Sequence, residues 1–150
     1  MGQQQLLLVI LVTIIVGIAT VVAINVFGQS AENANLDATR QDVLTIGAMA
    51  QGWILKPEAL GGGGGDWQNG STDVTMDDLG FGYASMVADG TVTTGTAGTE
   101  YTNANATYSL SINGDELTVT AVPIRASDKV VTGKITKENI SVSVAAASGT

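Results

Sequence analysis

Residues Leu6 to Val26 read LLLVILVTIIVGIATVVAINV, and the fold follows from how this run is hidden from water. It is about the 20 residues that a helix needs to cross a bilayer. No charged side chain precedes Glu32, so nothing in the run resists burial in lipid or among other helices. A cleaved secretory signal would carry a basic n-region and a shorter apolar centre. No Lys or Arg precedes Arg40, and the segment is read as retained. The same lack of basic residues leaves its orientation undetermined by the positive-inside rule. Thr13 and Gly17, four residues apart, put two small side chains on one helix face. Such a face permits close approach of a second helix, which is the reading preferred here, with plain lipid contact as the alternative.

Downstream, polarity rises without a helix breaker other than Gly28. Leu36, Val43 and Ala50 recur at seven-residue spacing, with Ile46, Gly47, Trp53 and Ile54 on or beside the same face. That periodicity predicts an amphipathic helix, ended by Pro57 because the residue before proline is driven out of helical conformation. One helix is therefore expected over about 2–54, roughly 80 Å at 1.5 Å per residue. Its apolar first half spans 1–28 and its one-sided continuation 29–56. A head domain over 57–150 follows. The glycine run 61–65 within LGGGGGDWQNG reads as a flexible linker or loop, with Trp67 folding back as an apolar anchor. It lacks the Gly-Lys-Ser/Thr ending of a phosphate-binding loop.

The head ends in β structure. Tyr108, Leu110 and Ile112 alternate with Ser109 and Ser111. Asn113-Gly114-Asp115 makes a turn, and Leu117, Val119 and Ala121 alternate with Thr118 and Thr120. Asn-Gly between alternating runs is a strong hairpin signal. KVVTGKIT (129–136) and ISVSV (140–144) add two strands, for an antiparallel sheet of about four, covered on its apolar face by the amphipathic half of the helix. Residues 90–105, rich in Thr and Gly, read as an exposed loop or short edge strands. The fold class is α+β.

Composition narrows the function. The chain has no Cys and no His, which removes thiolate chemistry, disulfides and the commonest general base and metal ligand. No pair of carboxylates is placed by a recognisable motif, so no catalytic residue, cofactor or metal site is expected. Fourteen acidic against six basic residues give net −8, the wrong sign for nucleic acid or anionic lipid. Asp66, Asp73, Asp77 and Asp78 raise a calcium loop as one reading and a solvated acidic loop as the other; the EF-hand spacing is absent. Asn69-Gly-Ser71, Asn105-Ala-Thr107 and Asn139-Ile-Ser141 are candidate N-glycosylation acceptors, and the Thr-rich loop could equally carry O-linked sugar.

One long helix, apolar then amphipathic, followed by a glycine-rich loop and a sheet, resembles a type IV pilin. GQQQLLLVILVTIIVGIATVVAI is similar to the N-terminal helix of pilin-like proteins, and KPEALGGGGGDW to a segment of bacterial pilin-like sequences. The resemblance implies a self-assembling surface filament, with an inner-membrane stage before assembly and with pilus machinery and a prepilin peptidase as partners. Leu7, Ile10, Ile14, Gly17, Ile18, Val21 and Ile24 would be its helix-packing residues, and Met1 and Gln5 its N-terminal assembly residues. Members of the family usually lose a short basic leader after a glycine, and Gly2-Gln3 offers such a junction. Counted from Met1, the usual glutamate at the fifth position is Gln5, which offers a neighbouring terminal amine only a neutral hydrogen bond. The family's mid-span proline is absent, which implies an unbroken helix. A single-span anchored domain that binds a partner as a monomer is the alternative.

Overall fold

The absence of proline before position 57 sets the length of the first element. In the computed structural model, which describes residues 2–82, 84–86, 92–94 and 98–147, helix α1 runs Gly2–Leu55. A 3-10 turn, Glu58–Leu60, follows Pro57. The glycine run then departs from the expected flexible linker. It folds back on the end of α1, where Gly63 N–H donates to the Trp53 carbonyl (3.1 Å), Gly65 N–H to that of Ile54 (2.7 Å) and Gly64 N–H to that of Lys56 (2.9 Å). The last carbonyls of a helix have no partner within it, and this run supplies them. Only glycine fits, because a Cβ at Gly62 would collide with the Lys56 carbonyl and one at Gly63 with the Asp66 carbonyl.

The chain divides into two compact units, Met1–Ala34 and Asn35–Thr150. In the second, strands β5 (Glu100–Thr102), β6 (Ala106–Asn113), β7 (Glu116–Pro123), β8 (Lys129–Ile135) and β9 (Ile140–Ala146) form one antiparallel meander in that order. The sheet has five strands rather than about four, because the Thr-rich stretch contributes β5, paired through Tyr101 and Tyr108. Two small hairpins precede it: β1 (Gln68–Asn69) with β2 (Thr72–Asp73), and β3 (Ala84–Met86) with β4 (Val92–Thr94). The β6–β7 loop is Gly114-Asp115, closed by the Asn113–Glu116 pair. Gly114 has φ 62°, as the first central residue of a type II′ hairpin requires.

Register puts every second residue on one face. Leu110 lies opposite Val119, Tyr108 opposite Ala121, Leu117 opposite Ile135 and Val119 opposite Gly133. These side chains meet Val43, Ile46, Ala50, Trp53 and Ile54 from α1 in one core, with Trp67 among them. The helix approaches closest where side chains are smallest. A Cβ at Gly133 would collide with Val43 Cγ1, and one at Gly47 would lie 3.2 Å from Ile140 Cδ1. Full burial of each large apolar side chain contributes about 1.5–3 kcal/mol, so the second unit carries a core of its own.

Candidate assembly helix and the polar clamp of the head

Every described residue from Gly2 to Ala34 is exposed. The large apolar side chains from Leu6 to Phe27 retain between 49% and 74% of their accessible surface. Among the residues expected to pack between helices, Leu7, Ile10, Ile14, Ile18, Val21 and Ile24 all belong to this exposed set. Nothing lies within 4 Å of a Cβ built at Gly17, so the space its missing side chain leaves is open to another molecule. Gln5 is exposed as well, whereas Met1 lies outside the described residues. The two threonines of the run bond within the helix, Thr13 Oγ1 to the Ile10 carbonyl and Thr20 Oγ1 to the Val16 carbonyl, each at 2.8 Å. Hydroxyls satisfied in this way add no unpaired polar group to an apolar environment. By length and composition α1 can cross a membrane; its most apolar window has a mean hydropathy of 3.2.

The second unit contains a polar cluster that sequence periodicity does not reveal. Asp42 Oδ2 accepts hydrogen bonds from Tyr108 Oη (2.7 Å), Asn105 Nδ2 (2.8 Å) and Asn103 Nδ2 (3.0 Å). Burial alone would raise the Asp42 carboxyl, but the bonds from Asn105, Tyr108 and Asn103 together hold its pKa below the ordinary value. Burial, then the bond to Asp42 and that carboxylate's charge, push the Tyr108 phenol above its ordinary value. One turn or more to either side, the helix is tied again. Asn35 Nδ2 donates to the Asn105 carbonyl (3.0 Å) and its Oδ1 accepts from Arg125 N–H (3.1 Å), while Gln51 Nε2 donates to the Thr136 carbonyl (2.9 Å). Three side chains of α1 thus fix its register on the sheet by directional bonds, which apolar contact alone does not supply. Tyr108 also stacks on Tyr101, with centroids 5.8 Å apart, and Tyr101 in turn meets Phe81 at 5.4 Å.

Asp66, Asp73 and Asp78 of the acidic loop are engaged locally. Asp66 accepts from Trp67 N–H, Asp73 from the Gln68 amide, and Asp78 from both the N–H and the hydroxyl of Thr75. Among the described residues no three acidic side chains converge as a metal site would require. Trp67 is fully buried, as its anchor reading expects, and its indole N–H donates to the Asp115 carbonyl at 2.9 Å.

A long N-terminal helix, apolar and then packed through its second part on an antiparallel sheet, is a pilin-like architecture. No family model, no curated protein and no solved structure matches the chain.

Proposed function

We propose that this chain is the structural subunit of a type IV pilus-like extracellular filament, built by bundling the helices that contain Leu6–Val26. The observation that carries the reading is the exposure of that entire apolar run around its circumference. At about 25 cal/mol per Å², a surface of this kind is not left in water. It must meet lipid, other copies of itself, or one after the other. The exchange from lipid to helix bundle is nearly balanced, because lipid tails and Val or Ile side chains are similarly apolar. Assembly machinery can then drive subunits out of the membrane and into a filament core. The heads would form the sheath, their Thr, Gly and acidic loops facing water, with net −8 giving no attraction for nucleic acid.

The test is electron microscopy of the detergent-free fraction sheared from cells expressing the chain, with mass spectrometry of its N-terminus. Thin filaments containing the intact helix are expected. Recovery only as a monomer in detergent-extracted membranes overturns the reading and leaves a single-span anchored head. Gly17→Leu separates the two at the residue level. It fills the open notch on the helix, so filament assembly fails while membrane anchoring is retained.

A further inference from the structure

Three Asn-x-Ser/Thr sequences occur in the head, and their surroundings differ. Asn105 is half-buried, and its Nδ2 is one of the three donors that converge on Asp42. Its carbonyl accepts from Asn35 and its N–H donates to Asn103 Oδ1. A sugar on that nitrogen would have to fit between Asn103 and Tyr108. Asn69 is half-buried in β1, opposite Thr72, with its Nδ2 3.5 Å from the Glu58 carbonyl. Asn139 is exposed, and its Nδ2 makes no hydrogen bond among the described residues. Its backbone is held: the Asn139 N–H donates to Thr136 Oγ1 (3.1 Å), and its carbonyl accepts from Thr136 N–H (2.9 Å). That turn is itself tied to α1 through Gln51 and the Thr136 carbonyl. Ser141, two residues on, is exposed at the start of β9.

We propose that Asn139 is the acceptor for an N-linked glycan on this chain and that the fold closes Asn105 to the same reaction. The donor class is a polyprenyl-phosphate-linked oligosaccharide, and the catalyst an oligosaccharyltransferase. The Asn139 Nδ2 attacks the anomeric carbon and forms the N–C bond. The bond from that carbon to the phosphate oxygen breaks, the polyprenyl phosphate leaves, and the amide proton passes to a base of the transferase. Asn139 meets the two requirements of the acceptor, a free amide nitrogen and an accessible hydroxyl two residues later. The inference needs the head outside the cytoplasm and does not depend on filament formation.

Its test uses the full chain in detergent micelles with a purified oligosaccharyltransferase and its lipid-linked oligosaccharide, read by peptide mapping. A single glycan at Asn139 is expected, abolished by Asn139→Gln and by Ser141→Ala and unaffected by Asn69→Gln. Synthetic peptides covering 100–112 and 134–146 should both be modified, which would show that the fold rather than the tripeptide excludes Asn105. Glycan on Asn105 of the folded chain overturns the proposal. So does an unmodified Asn139, whether or not its peptide is a substrate.

Discussion

Gly2–Ala34 and Asn35–Leu55 belong to one helix, yet the first stretch has no buried residue and the second has nine. Hydrogen bonding along the backbone is the same in both, so the contrast lies in what covers the side chains. In the second stretch, Val43, Ile46 and Ala50 are sealed against the sheet, and tertiary packing maintains the helix. In the first, a run rich in Val and Ile has only moderate helix propensity, and such a segment alone in water is marginal. In an apolar medium every backbone group must bond internally, which enforces the helix. The second stretch is therefore held helical by its own chain, whereas an apolar medium would do the same for the first.

The largest expected effect confined to one side of this contrast is Trp67→Ala. Removing a fully buried indole that also bonds the Asp115 carbonyl should cost about 3–5 kcal/mol. Thermal melts followed by near-ultraviolet circular dichroism of the full chain in micelles should show the head melting far earlier, with membrane partitioning unchanged. Ile14→Arg addresses the other side. A cation near the middle of the span costs about 2.5–3.5 kcal/mol, roughly two orders of magnitude in partitioning. Membrane recovery after alkaline extraction should fall accordingly, while the head's melting temperature stays within error of the parent. A change in both readouts from either variant would erase the distinction between the two stretches.

Smaller effects sharpen it within the second unit, Asn35–Thr150. Asp42→Asn replaces a charged acceptor by a neutral one and should cost about 1–3 kcal/mol. Because the folded pKa of Asp42 is depressed, its contribution is present above the unfolded value of about 3.9. It is lost as pH falls through the folded value, so the variant should lose part of the acid arm of the melting profile. Tyr108 is shifted the opposite way. Its contribution is present below about pH 10 and is lost as pH rises through the folded value. Tyr108→Phe should flatten that alkaline arm. The smallest change is a gain. Gly52 is exposed, and nothing lies within 4 Å of a Cβ built there, so Gly52→Ala should stabilise the head by up to about 1 kcal/mol. A loss in the same melts would mean that this face of α1 is covered.

The seven-residue recurrence of Leu36, Val43 and Ala50 was readable because apolar side chains advertise their period. Asn35, Thr39 and Asp42 were not, although Asn35 and Thr39 are buried, since a polar residue beside an apolar stripe reads as solvated. The partners of Asp42 are Asn103, Asn105 and Tyr108, at least 61 positions away, and no local signal connects them. Likewise the glycines of 61–65 announce freedom from side chains, and only the approach of the helix end shows that the freedom serves a cap. The three sequons are identical as tripeptides, and burial and hydrogen bonding alone distinguish Asn105 from Asn139.

By itself the sequence determined that a charge-free apolar helix precedes an α+β head, because hydropathy and periodicity are properties of neighbours along the chain. Tertiary structure decided which polar groups lock α1 to the sheet, where Gly133 and Gly47 let it approach, and which asparagine stays open to solvent. Those outcomes depend on groups distant in sequence meeting within hydrogen-bond or van der Waals distance, and such meetings exist only once the head has folded.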